Sequence, residues 1–196
     1  ADFRAFASNG AAAAPAWLQE IREAAIARFA AVGFPSMKQE EWRFTSTARI
    51  AETPFAVRHR RAGGAVASTQ VAALHGAGSR SARLVFVDGV FAPEISSVGD
   101  LPPGVRAGSL AAALETAPDV IRAHLAHHAS DQASPFAALN TAFLADGAFV
   151  YVPAGVRLDR PIELVFSASA TGDPAVSHAR SLVVVERGAQ ATVVES

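Results

Sequence analysis

Residues 139–195 read LNTAFLADGAFVYVPAGVRLDRPIELVFSASATGDPAVSHARSLVVVERGAQATVVE. Short apolar runs alternate with polar residues and are separated by Gly, Pro and Asp corners. A period of two marks a half-buried β-strand. It predicts strands near 148–152, 162–168, 180–186 and 190–195. Pro153, Gly155, Pro161 and Gly188 fall between them or at their starts, where proline interrupts no ladder. The last run is still in progress at Glu195, and a sheet without a closing strand leaves edge N–H and C=O groups unpaired. The segment therefore reads as the opening of a larger β-structure, cut short at Ser196. Strands this short suit a sandwich, a barrel or a coiled parallel β-helix. No exact repeat period is legible, so the pattern alone does not choose among them.

Upstream, the spacing is helical. Leu18, Ile21, Ala25, Phe29 and Val32 recur at three and four, one apolar face of a helix that opens at Pro15 and stops at Gly33. Ser36 and Gln39 have the spacing of a capping box, ahead of Glu40, Glu41 and Trp42. Residues 51–82 show no period and read mainly as loop, with one short strand or helix around Val71 to Leu74. In RLVFVDGVF (83–91) two β-rich runs flank Asp88-Gly89. Asp-Gly supplies the two positive φ angles of a type I′ turn, so this is a two-residue hairpin. Ser109 caps a helix over Leu110 to Thr116, Pro118-Asp119 restarts one, and Ser134-Pro135 starts a third. Phe136, Leu139, Phe143 and Leu144 line the face of that third helix, and Gly147 ends it. The division is a helical region with a hairpin over 1–147 and a β-region over 148–196.

Composition narrows the functional classes. Hydrophobic residues are 51% and charged residues 18%, a globular balance. A net charge of −1 argues against a general hold on nucleic acid or anionic lipid, because that binding scales with the phosphates neutralised. There is no cysteine, hence no disulfide, thiolate nucleophile or thiolate metal ligand in these residues. No signal-like N-terminus and no run of about 18 apolar residues is visible, and the cytoplasm is the expected compartment.

Few residues carry chemistry. His124, His127 and His128 lie three and four apart on a predicted helix, where two could face one metal. The competing reading is a solvated helix end, where histidine also suits the dipole. Asp131 is the only nearby carboxylate, so these three stand as weak metal candidates and no metal is expected. Glu40 and Glu41 are adjacent and do not face one point on a helix, which excludes an acid–base pair. Trp42 reads as a packed indole. Arg58, His59, Arg60 and Arg61 form a basic cluster that could meet phosphate or an acidic partner, but it reads as a solvated loop. No nucleophile elbow, Walker sequence or Gly-x-Gly-x-x-Gly is present. No catalytic residue is assigned.

Four segments, in order, carry a family resemblance. They are GFPSMKQEEWRFTST (33–47), RLVFVDGVF (83–91), NTAFLADGAFVYVPAGVRLDRPIEL (140–164) and ARSLVVVERGAQATVVES (179–196). Together they resemble the SufB/SufD scaffold family of the Suf iron–sulfur cluster assembly system. The first matches its Gly-Phe-Pro…Glu-Glu-Trp-Arg-Tyr-Thr segment, with Phe44 in place of Tyr. Arg157 to Leu164, RLDRPIEL, resembles the SufD branch more than the Cys-Pro-Met-Glu-Leu type of SufB. The resemblance implies an α+β chain: an N-terminal helical region and a hairpin leading into the first rungs of a right-handed parallel β-helix. A C-terminal helical region would follow.

The resemblance also implies a non-catalytic scaffold of a SufBCD complex, with a SufB-like scaffold and a SufC-like ATPase as partners. A homodimer of the full-length protein is a further arrangement it allows. Such a complex handles a nascent Fe–S cluster. The cofactor-binding residues are expected beyond Ser196, and this segment itself binds no cofactor, since clusters need thiolates. Val150, Val152, Leu164, Phe166, Val183 and Val185 should share one continuous core. The rivals are a structural β-solenoid and a carbohydrate-active β-helix enzyme. The enzyme would need convergent carboxylates, whereas Glu163, Glu186 and Glu195 are scattered.

Overall fold

The computed structural model describes residues 2–9, 14–58, 82–129, 134–168 and 174–196. Helices α1 (Asp2–Asn9) and α2 (Ala16–Val32) come first, then a 3-10 turn at Glu40–Trp42, helix α3 (Ala48–Glu52) and strand β1 (Ala56–Arg58). Strands β2 (Ala82–Val87) and β3 (Val90–Phe91) follow, with a 3-10 turn at Pro93–Ile95, β4 (Ser97–Val98) and β5 (Arg106–Ser109). Next come α4 (Leu110–Thr116), α5 (Pro118–His124) and α6 (Pro135–Ala142). The chain closes with β6 (Ala148–Val152), β7 (Ile162–Ser167), β8 (Ala175–Ser177), β9 (Leu182–Val185) and β10 (Val193–Glu195). The α+β class is the one expected. The stretch around Val71 to Leu74 lies outside the described residues.

Local chemistry explains most boundaries. The Ser109 side chain accepts from the Ala112 N–H at 3.1 Å, and Ser134 from the Phe136 N–H at 3.2 Å with Pro135 at the first helical position. Each cap is worth about 1 kcal/mol. Asp88 and Gly89 sit at φ 52° and 79°, and the hairpin pairs Phe86 with Phe91 and Val87 with Val90. Only half of the capping box forms: Gln39 Oε1 accepts from the Ser36 N–H at 3.3 Å.

Three expectations change. Helix α2 begins at Ala16, with Pro15 as its cap, and its buried residues are Leu18, Arg22 and Ala25, while Val32 is exposed. Arg22 takes a core position that a hydrophobicity pattern passes over. Helix α6 ends at Ala142, well before Gly147. Gly147 has a different task, because a Cβ there would lie 2.0 Å from the Arg180 carbonyl oxygen. The two backbones cross too closely for any side chain.

Two sheets face each other. One runs β10–β7–β2–β3, with β4 also on β2, and the other runs β5–β6–β9. Between them Leu84, Phe86, Val150, Val152, Ile162 and Leu164 form a closed core. The outer side of β6 and β9 packs Phe149, Leu182 and Val184 against Leu18, Leu110, Ile121 and Leu125 of the helices. Within the β-region the chain comes back parallel to itself in sequence order. Phe149–Val152 lies beside Leu182–Val185, Arg157 beside Gln190, and Ile162–Leu164 beside Val193–Glu195. Strand β2 joins this system by pairing parallel with β7.

The expected core holds at Val150, Val152, Leu164 and, half-buried, Phe166, but Val183 and Val185 are 41% and 43% exposed. Register explains the difference. Val183 pairs with Val150 and Val185 with Val152, so both valines lie on the inward face. They form its outermost layer, with no further strand described above it. Leu182 and Val184, on the opposite face, are buried by the helices.

Candidate functional site

The segment 33–47 is fixed by aromatic packing. Phe34 lies edge-on to Phe29 at 5.0 Å and against Phe136 at 5.8 Å, and the Trp42 indole is 5.4 Å from Phe136. Thr47 Oγ1 donates to the Pro35 carbonyl at 2.6 Å, closing the loop. Trp42 is thus the packed indole expected, half-buried, while Glu40 and Glu41 are exposed and Glu40 meets Arg43 at 2.8 Å. Phe44 is different. It is 86% exposed, with the Arg43 guanidinium 4.5 Å over its ring.

This packing builds one wall of an apolar groove of about 640 Å³. Phe29, Phe34, Phe136 and Phe143 line it, together with Phe55, Val176 and His178. His178 stacks on Phe143 with centroids 5.2 Å apart and planes 18° apart. Burial pushes its imidazole down to about 4, so it is neutral at pH 7. The groove can take an apolar group, and Asp2, Thr53 and His178 are the polar members of its lining. Its phenylalanines come from segments far apart in sequence, so no local pattern announces it.

A polar hub holds the β-region to the helices. Asp146, the residue before Gly147, is buried. Its Oδ2 accepts from the Phe91 N–H at 2.9 Å, and its Oδ1 from the Ser109 hydroxyl at 2.8 Å and the Ala111 N–H at 3.1 Å. Beside it, Arg180 donates to Asn140 Oδ1 at 2.7 Å and to Thr141 Oγ1 at 2.8 Å, and burial lowers its pKa. Buried charge of this kind is tolerated because its hydrogen bonds are made. Asp146 and Arg180 therefore act as clamps.

The histidines are not gathered on a helix. Helix α5 ends at His124, Ala126 takes φ 64°, and His127 Nδ1 bonds the Ala123 carbonyl at 2.8 Å. His124 and His128 stack at 5.9 Å. Among the described residues no group of three or more His, Cys, Asp or Glu is placed to hold a metal. Arg58 ends β1, with an enclosed Nε that meets no acceptor among the described residues. His59, Arg60, Arg61 and Asp131 lie outside the described residues. Tyr151 donates to Glu186 Oε1 at 2.7 Å across β6 and β9, which raises its pKa. No described helix is long and apolar enough to cross a membrane.

Residues 3–164 match the family described as SufBD protein N-terminal region. The chain is 33% identical over 178 residues to an iron-sulfur cluster assembly SufBD family protein of Synechocystis, which covers 89% of this chain and 38% of that one. It is 26% identical over 186 residues to the chloroplastic protein ABCI7 of Arabidopsis thaliana, covering 91% and 37%. It is 32% identical over 83 residues to the iron-sulfur cluster assembly protein SufB of Bacillus subtilis, covering 42% and 17%. The chain thus spans well under half the length of these relatives.

Proposed function

This chain belongs to the SufBD family, and on that premise we propose that it is the N-terminal part of a non-catalytic scaffold subunit of iron–sulfur cluster assembly. The subunit works in a SufBCD-type complex, with a SufB-like scaffold and a SufC-like ATPase. The nascent cluster is cargo of that complex. Residues 1–196 contain no cysteine and so offer no thiolate to hold it, and they contain no Walker sequence, in keeping with ATP hydrolysis by the SufC-like subunit. Arg157 to Leu164 favours the SufD branch. We place it in the cytoplasm, with which a chain free of disulfides is compatible.

The observation that carries the reading is the inward-facing layer of Val183 and Val185 in register over Val150 and Val152. Together with the repeated parallel returns of the chain, it supports a right-handed parallel β-helix that continues past Glu195. Such a stack is a stiff platform whose flank or end can pair with a second scaffold. Nothing in the groove or the clamps favours an enzyme.

The test is anaerobic co-purification of the protein, extended to the length of its relatives, with SufB-like and SufC-like subunits. The reading expects a stoichiometric complex that accepts iron and sulfide, lost on truncation at Ser196. The 196-residue chain alone should stay colourless after the same treatment. Absence of association would remove the scaffold role, and a visible band that gel-filters with residues 1–196 would overturn the statement about cargo.

A further inference from the structure

Arg22 is 4% exposed on the inner face of α2. A guanidinium has five N–H donors. Here Nη2 donates to the Leu144 carbonyl, while the enclosed Nε and Nη1 meet no acceptor among the described residues. Helix α1 lies over the guanidinium through Phe6. The Phe6 ring lies 5.4 Å from the Arg22 Cζ, and burial pulls the guanidinium pKa down to about 10, so it still carries its charge at pH 7.

Helix α1 is held from the other side by apolar contacts. Phe6 packs on Phe143 at 5.4 Å, and Phe3 meets the same ring edge-on at 5.8 Å. Asp2 and Phe3 also form part of the groove wall beside Phe143. Two opposed terms meet at this helix. Docking it buries Phe6 and its ring contacts, which is favourable. Docking it also keeps a cation out of water with most of its donors unmet, which is costly. Helix α2 packs along α6, whereas α1 is held by the ring contacts of Phe3 and Phe6, so the weak joint is α1.

We propose that α1 is a displaceable latch, closed over Arg22 in this structure, whose release returns the guanidinium to solvent and widens the groove onto Phe143. The device is independent of the scaffold reading, since it rests on one helix and one side chain.

Hydrogen exchange of the residue 4–9 amides, with the α2 amides as internal reference, tests it. A short helix frays in any case, so the decisive quantity is the sign of a substitution. Arg22→Met keeps an unbranched side chain and removes the charge. The latch expects slower exchange of α1, by about tenfold, and a Tm at least as high as the parent's. If Arg22 instead anchors the helix, Arg22→Met speeds α1 exchange and lowers Tm, and either an unchanged or a faster rate overturns the proposal. Should Arg22→Met fail to fold, Phe6→Ala decides. A latch then releases α1 alone, and the probe anilinonaphthalene sulfonate gains fluorescence at the widened groove while the β-strand amides stay protected. Exchange that rises in α1 and the β-strands together would make α1 part of the core and end the idea.

Discussion

The core between the two sheets and the groove among the helices are both apolar, but they are built to different tolerances. Between the sheets, Leu84, Phe86, Val150, Ile162 and Leu164 are each at most 1% exposed, and strand register fixes which residue meets which. Around the groove the phenylalanines touch edge-on or tilted and leave about 640 Å³ open. Backbone hydrogen bonds specify the first region residue by residue. Side-chain contact alone specifies the second, and edge-to-face pairs hold across a range of distances and angles. The sheets can therefore serve as a rigid platform, while the helical side has room to move.

The largest way to test this contrast is Gly147. Its missing Cβ would sit 2.0 Å from the Arg180 carbonyl oxygen and 2.5 Å from the Arg180 nitrogen, both backbone atoms. Gly147→Ala should cost more than about 4 kcal/mol in urea denaturation, or abolish folding. Gly155→Ala is the control. It has φ 73° but nothing within 4 Å, so only the left-handed backbone penalty of about 1–2 kcal/mol applies. Equal losses at the two glycines would mean that the close crossing at Arg180 does not constrain the fold.

The two regions also differ in how much of them could be read from sequence. Asp88-Gly89, Ser109 and Ser134-Pro135 act within a few residues, and each appears where local chemistry puts it. The strands at 148–152 and 162–167 follow their alternation. Leu182 to Val185 is apolar on both faces, so its pattern cannot say which side has helices over it and which is an open layer. Strands β5 and β8 are short and weakly alternating (RAGS and AVS), and neither gave a signal. The groove, the burial of Arg22 and the Asp146 hub depend on contacts between distant segments. Arg22 meets Leu144, and Asp146 meets Phe91 and Ala111. No window of sequence contains both halves of those contacts. The SufBD resemblance was legible because it rests on ordered motifs and needs no contact.

A matched pair of leucines sharpens the comparison at a smaller scale. Leu164 is 1% exposed between the sheets, and Leu139 is a half-buried residue of the groove wall. Leu164→Ala leaves a cavity in a region that cannot collapse without shifting a ladder, and should cost about 3–4 kcal/mol. Leu139→Ala enlarges a space that is already open and should cost roughly 1–2 kcal/mol. Chemical denaturation of both variants measures the gap. Equal costs would show that the groove is as tightly specified as the sheets.

The smallest effect belongs to the groove alone, and it is set by pH. His178 has a folded pKa of about 4 against the usual 6.5, because burial disfavours the charged ring. Above pH 6.5 neither the folded nor the unfolded chain protonates it, and its contribution is fully present. Between 6.5 and 4 the unfolded chain binds the proton and the folded one does not, so stability falls as pH falls. Below 4 both forms are protonated and the contribution is gone. The full difference corresponds to about 3 kcal/mol, and the partial solvent contact of the ring reduces it to roughly 1–2 kcal/mol. His178→Phe keeps an aromatic ring on Phe143 and removes the proton site. Urea midpoints measured from pH 7.5 to 4.5 should decline less steeply in this variant than in the parent. An unchanged slope would assign the acid sensitivity to groups outside the groove.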